Sequence, residues 1–264
     1  MNKRARIISL FFAASALFFA SSARSQTVQA PDNVQTRVGI GFAGGNPVPG
    51  ASSTLGMRIG RIPRVSVAAR GSAVHIDPST AMSVNLDVAV GLYSGMTLAP
   101  TIGGFASIDL IGSVGRMGLK DDAGFESDPT SWAIGARIGI LRESFTVPGV
   151  AVSATYRKIG DVRWGNATNI NEFTLADNSV TSVRATIGKR LFVFGATAGV
   201  GYDRFASDLN IGAAVFKNTR RTAFIDATWT MLVLNLVAEG GVQTGGDSPN
   251  SSGYFASLAA RLVL

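Results

Sequence analysis

The chain contains no cysteine and a single histidine, and beyond its first twenty residues it has no long apolar run. Without cysteine there is no disulfide framework, no thiolate chemistry and no acceptor for lipoprotein processing. One histidine leaves little material for an imidazole metal site. Absence of a further run of about 18 apolar residues excludes a helical membrane protein. Acids are also scarce, 17 against 24 lysines and arginines, for a formal net charge of +7. Four of those cations, Lys3, Arg4, Arg6 and Arg24, fall within the first 25 residues, which hold no acid. The basic character is therefore not a nucleic-acid footprint.

What is present at the start is a positive stretch, an apolar core from Ile7 to about Ala20, and the small residues Ser21, Ser22, Ala23 and Ser25. These are the three parts of a secretory signal peptide, and the core is too short to span a bilayer as a helix. Residues 1–25 are expected to be cleaved, leaving 26–264 as one domain.

Along that domain, apolar and small or polar residues alternate with period two in segments of about ten, separated by Gly, Pro, Asn, Asp and Ser. Phe192, Phe194, Ala196, Ala198, Val200 and Tyr202 lie on one face, with Gly195, Thr197, Gly199 and Gly201 on the other. Trp132, Ile134, Ala136, Ile138 and Ile140 stand opposite Gly135, Arg137 and Gly139 in the same way. The alternation predicts strands at 35–44, 52–62, 65–76, 82–93, 102–117, 130–141, 149–160, 178–189, 191–204, 219–231, 232–243 and 253–264. Twelve strands put both mature termini on one side, with short turns there and long loops opposite, among them 44–50, 166–178 and 205–218. Ten or fourteen strands follow if one hairpin is misread.

The apolar face is wide and the other face too rich in Gly and Ala to be a solvated surface, which argues against a soluble sandwich. Tyr254, Ala256, Leu258, Ala260, Leu262 and Leu264 alternate to the carboxyl terminus. This resembles the last strand by which bacterial outer-membrane β-barrels are recognised by the barrel assembly machinery, although those commonly end in Phe. Aromatics fall where interfacial girdles belong, with Phe42, Trp132, Tyr202 and Tyr254 toward one rim and Phe192 and Trp229 toward the other. The resemblance implies an all-β, transmembrane, antiparallel up-and-down barrel in the outer membrane, in contact with lipid and lipopolysaccharide.

Charged residues within the strands must then face the lumen, since Lys or Arg facing lipid at mid-depth costs about 2–4 kcal/mol. Parity places Arg37, Arg58, Arg70, Arg137, Arg157, Arg184 and Arg261 inside, with Asp87, Asp109, Asp226 and Glu239. Arg261, Arg37 and Arg58 fall on neighbouring strands and form an expected basic wall that favours small anionic solutes. The pattern is similar to the arginine tracks of twelve-stranded sugar-acid channels. Arg70 and Asp87 are an expected ion pair.

Other motifs carry less. Gly39, Gly41 and Gly44 spell G-x-G-x-x-G, but in a predicted strand with no helix after it, so no dinucleotide site is implied. His75 lacks the serine two positions away that outer-membrane phospholipases use, and the order of acids around it does not match omptin proteases. Asp121, Asp122, Glu126 and Asp128 lack the spacing of a calcium loop. The expectation is a monomeric, non-enzymatic diffusion channel without a cofactor, weakly selective for anionic solutes. The opposing expectation is a non-conducting barrel that binds a surface partner through its long loops.

Overall fold

The computed structural model describes residues 31–57, 62–76, 79–97, 103–119, 124–165, 172–210, 214–245 and 252–264. Among the described residues one helix, α1 (Pro31–Ala43), precedes β1 (Val65–Ile76), β2 (Ser79–Tyr93), β3 (Ser107–Gly118), β4 (Thr130–Leu141), β5 (Gly149–Ile159) and β6 (Val162–Trp164). There follow β7 (Phe173–Leu191), β8 (Phe194–Leu209), β9 (Ala214–Met231), β10 (Leu234–Thr244) and β11 (Gly253–Val263). Sequence neighbours pair antiparallel, β1 closes on β11, and β5 closes on β7, so ten strands form a complete ring. The short β6 continues the line of β5 and pairs with β7 above it. Closure leaves the ring with no free edge along its length.

Backbone hydrogen bonds between Val65 and Leu264, 3.2 and 2.8 Å, mark one end of the barrel, here the lower rim. The tight turns at Phe192–Val193 and Leu232–Val233 lie at the same end. Strands β7, β8 and β9, of 19, 16 and 18 residues, make one wall taller than the rest at the upper rim. The loop expected at 205–218 is the top of that wall: β8 runs to Leu209 and β9 resumes at Ala214.

Parity sorts the two faces as the alternation predicts. Met82, Val84 and Leu86 are exposed while Ser83, Asn85 and Asp87 are buried, and Trp132, Ile134 and Ile138 are exposed while Arg137 is buried. Polar side chains turned inward and apolar ones turned outward invert a soluble protein, and an apolar exterior suits lipid. Trp132 and Tyr156 meet edge to face at 6.2 Å on this exterior toward the upper rim. Among the described residues no helix is long and apolar enough to cross a membrane. The chain is a closed barrel of the outer-membrane kind.

Ten of the twelve expected strands are present, and β1 and β4 have the expected bounds. The two N-terminal ones are corrected. The segment expected as a strand at 35–44 is α1, and 51–57 is irregular chain inside the barrel. Every residue of α1 from Val34 to Phe42 is buried. The physical reason is that a strand in the lumen would find both its edges unpaired, because all wall strands are already bonded to neighbours. A helix satisfies its own backbone. Pro31 opens it at a position where a missing N–H costs nothing, and Gly44, at φ +62°, ends it with its N–H donated to the Ile40 carbonyl at 2.8 Å.

The helix starts at the upper rim, where Asp32 lies 3.6 Å from Arg220 and the Gln35 amide donates to Ser207 Oγ at 2.6 Å. Both mature termini are expected on one side; the first described residue, Pro31, is at the rim opposite Leu264, and residues 26–30 lie outside the described residues. Val34, Val38, Ile40 and Phe42 pack against inward Val74, Met117, Val180, Phe205, Phe224 and Phe255. Phe42 is thus a lumen residue and not part of an interfacial girdle. A Cβ on Gly39 would collide with the Phe205 ring and lie 3.2 Å from Val180. Overpacking of this kind costs about 1–3 kcal/mol. The refolded Gly39→Leu variant should therefore lose its heat-resistant electrophoretic form at a lower temperature than the wild type. An unchanged midpoint would mean that α1 is not packed in the lumen.

Candidate functional site

Below α1 the chain runs down the lumen from Gly44 to Met57, and the wall supplies its hydrogen bonds. Glu239 on β10 accepts from the backbone N–H groups of Gly45 and Asn46, at 3.0 and 2.7 Å. Asp226 on β9 accepts from Gly50 N at 3.1 Å and from the Asn46 amide at 2.7 Å. Asp109 on β3 accepts from Leu55 N at 2.9 Å and from Gly56 N at 3.4 Å. Arginines take the carbonyls: Arg70 reaches Ala43 and Asn46 at 3.2 and 3.3 Å, Arg184 reaches Gly45 at 3.1 Å, and Arg137 reaches Ala51 at 2.5 Å. Carboxylates meet N–H groups and guanidiniums meet C=O groups, so each charged group is held by a dipole of suitable sign. A small apolar patch of Val48, Ala51 and Leu55 against Ala89 and Ile111 completes the contact.

The wall charges also pair with one another. Arg70 Nε lies 3.1 Å from Asp87 Oδ2, the ion pair that the sequence predicts. Arg184 Nη2 lies 2.7 Å from Asp203 Oδ1, and Asp203 accepts further bonds from Ser182 and Thr222, each at 2.6 Å. Arg157 donates to Ser131 and Ser113 at 2.8 and 3.2 Å, with its guanidinium carbon 6.0 Å from the Phe42 ring centre. Arg261 is 2% exposed; its Nε and Nη1 have no hydrogen-bond partner among the described residues.

Of the residues expected to line a pore, Arg70, Asp87, Asp109, Arg137, Arg157, Arg184, Asp226, Glu239 and Arg261 all lie on the ring and are buried within it. Arg37 is inside the barrel but on α1, where it donates to Asn33 Oδ1 at 3.0 Å and to the Ser252 carbonyl. Arg58 lies outside the described residues. Of the expected basic wall, Arg37 and Arg261 are not brought together: Arg37 stands near the upper rim beside Ser252, while Arg261 is close to the lower rim on β11. Asp203 and Arg220, both buried, belong to the inner set and were missed. Parity would have found them, since Asp203 follows Thr197, Gly199 and Gly201, and Arg220 precedes Thr222 and Asp226.

The structure places the motifs set aside above as follows. Gly39, Gly41 and Gly44 lie in and just after a helix, and not in a strand, but α1 is enclosed in the barrel with no βαβ unit around it. His75 is exposed on the outer side of β1 near the upper rim. Asp128 pairs with Arg116 at 3.3 Å and accepts from Leu119 N at 3.0 Å; Asp121 and Asp122 lie outside the described residues. No group of three or more potential metal ligands occurs among the described residues.

No family profile matches the chain, and no curated protein matches it by sequence. Solved structures similar in shape include the translocator domain of the autotransporter NalP from Neisseria meningitidis, at 11% identity and TM-score 0.43. That match covers 76% of this chain and 88% of that one. The transport unit of the autotransporter AIDA-I from Escherichia coli matches at 9% identity and TM-score 0.40, over 88% and 97% of the two chains. The outer-membrane protease OmpT from Escherichia coli matches at 12% identity and TM-score 0.33, over 80% and 100%. Assignment to the outer-membrane class rests on the closed ring and its apolar exterior.

Removing one partner of a buried ion pair strands the other charge, at a cost of about 3–5 kcal/mol. Arg70→Ala should lower the urea midpoint of the folded barrel, and adding Asp87→Ala should restore part of the loss. Equal midpoints for the single and double variants would show that the Arg70 and Asp87 charges are not coupled.

Proposed function

We propose that this protein is a monomeric outer-membrane barrel, exported by residues 1–25, that its own N-terminal segment closes at rest. When that segment leaves, the barrel becomes a diffusion path for small solutes. The observation carrying this reading is the course of residues 31–57, which occupy the lumen from the upper rim to the level of Ser94 at the lower one. The lower rim, with Leu264 and the tight turns, faces the periplasm; the upper rim, with the tall β7–β9 wall, faces outward among lipopolysaccharide. No catalysis and no cofactor belong to this reading.

Selectivity follows from the wall. Among the described residues its buried charges are six arginines, Arg70, Arg137, Arg157, Arg184, Arg220 and Arg261, against five acids, Asp87, Asp109, Asp203, Asp226 and Glu239. A near balance supports only a slight preference for anions, weaker than an arginine track would impose. The tall outer wall also supports a second reading, in which the closed barrel never conducts and this wall meets a surface partner.

Planar-bilayer recording separates the two. Wild-type protein should be closed for most of the record. The Glu239→Gln/Asp109→Asn variant, whose carboxylate grip on Gly45, Asn46, Leu55 and Gly56 is weakened, should show discrete openings at least about ten times as often, since tenfold corresponds to about 1.4 kcal/mol. The reversal potential in a salt gradient should lie slightly toward the anion value. Steady conduction by the wild type would sink the closed-barrel reading, and silence from both proteins would favour the surface-partner reading.

A further inference from the structure

We propose that the lower lumen is a binding site for an irregular, turn-containing polypeptide segment rich in small residues, recognised through its main chain, and that a separate peptide takes this site once residues 44–57 are free to leave. The inference deepens the closed-barrel reading and rests on it for the release of the resident segment.

Three features carry it. First, most of the described polar contacts to Gly44–Met57 end on backbone atoms. Glu239, Asp226 and Asp109 accept from five backbone N–H groups, Ser94 Oγ accepts from Met57 N at 2.8 Å, and Arg70, Arg184 and Arg137 donate to carbonyls. Backbone groups are common to every peptide, so such contacts select a main-chain path, here one that turns at Val48–Ala51, and not a particular set of side chains. Second, the sites along the segment accept little bulk. A Cβ on Gly45 would collide with the Phe224 ring, and one on Gly50 would meet Thr228 and lie 2.8 Å from Val237. Third, the polar side-chain contacts are few, Asn46 on Asp226, Ser52 Oγ on Glu143 at 3.3 Å and Thr54 Oγ1 on Ser107 at 2.5 Å, and the apolar ones are limited to Val48, Ala51 and Leu55 against Ala89 and Ile111.

The arrangement is that of a peptide receptor whose ligand is covalently attached. Main-chain recognition with small pockets is how extended peptides are bound at sheet edges. Here the ring has no free edge, and charged side chains take the place of edge backbone groups. The ligand class is an uncharged, Gly- and Ser-rich segment able to turn as Val48–Ala51 does. The wall charges are already balanced by its dipoles, and a charged side chain would have to be buried among them.

The test uses the full chain, refolded with a protease site inserted between Met57 and Ile62, and cleaved after folding. A fluorescent synthetic peptide of residues 31–57 is then added, and both bound fluorescence and bilayer conductance are read. The expected result is exchange of the labelled peptide into cleaved but not uncleaved barrels, with closure of any conductance that cleavage opened. Peptides N-methylated at Asn46 or Leu55 should bind at least about tenfold more weakly, whereas Ser52→Ala and Thr54→Ala peptides should bind within about threefold of the parent. Failure of the labelled peptide to enter cleaved barrels that do conduct would overturn the proposal and leave the closed-barrel reading standing. Equal binding of N-methylated and parent peptides would overturn main-chain recognition. Exchange without any conductance would support the peptide site while overturning the diffusion path. Neither exchange nor conductance would overturn both.

Discussion

A polypeptide that passes through a closed barrel must find hydrogen bonds for its backbone where no strand is left to offer them. This constraint organises the molecule. In the upper lumen the chain meets it internally, by coiling into α1, and the surrounding wall is free to be apolar: Val74, Met117, Phe205, Phe224 and Phe255 line it. In the lower lumen the chain is irregular, and the wall meets the need from outside with Glu239, Asp226, Asp109, Arg70, Arg184 and Arg137. The change from apolar to charged lining down the lumen mirrors the change from helix to irregular chain along residues 31–57.

The same constraint alters the meaning of the lumen charges. In an open pore, buried arginines and acids would set a field for passing ions. Around a resident chain, Glu239, Asp226 and Asp109 are acceptors for its N–H groups, and Arg70, Arg184 and Arg137 are donors to its C=O groups. A carboxylate such as Asp109 needs no arginine against it when two N–H groups meet it. Arg70 serves both purposes, pairing with Asp87 while holding carbonyls at the end of the helix. Removing the resident segment would strand the buried charges that it satisfies, which ties it to the wall.

Most of the ring was legible from alternation. Trp132 through Ile140 and Phe194 through Tyr202 show the two faces residue by residue, because lipid outside and polar groups inside impose a period of two that little else produces. Inward charges followed from the same parity, including the Arg70 and Asp87 pair. Asp203 and Arg220 were legible too and passed over. The helix was not. Arg37, Gly39 and Gly41 alternate with Val38, Ile40 and Phe42 as a strand would, and a helix enclosed on all sides has no polar face to reveal its period of 3.6 residues. Glycines at 39 and 41 lowered its apparent helical propensity, yet they are there because Phe205, Val180, Met117 and Val74 press against those positions.

By itself, the sequence determined the barrel class, the faces of its ten strands and the identity of most inward charges, because each depends on local periodicity against a two-sided environment. Only the tertiary structure decided that residues 31–57 lie inside the ring, that α1 starts at the rim opposite Leu264, and that wall acids and arginines hold backbone groups of that segment. Those facts depend on closure. Once β1 meets β11 and β5 meets β7, no strand edge remains for the N-terminal segment, and its conformation is set by an enclosure that no local pattern encodes.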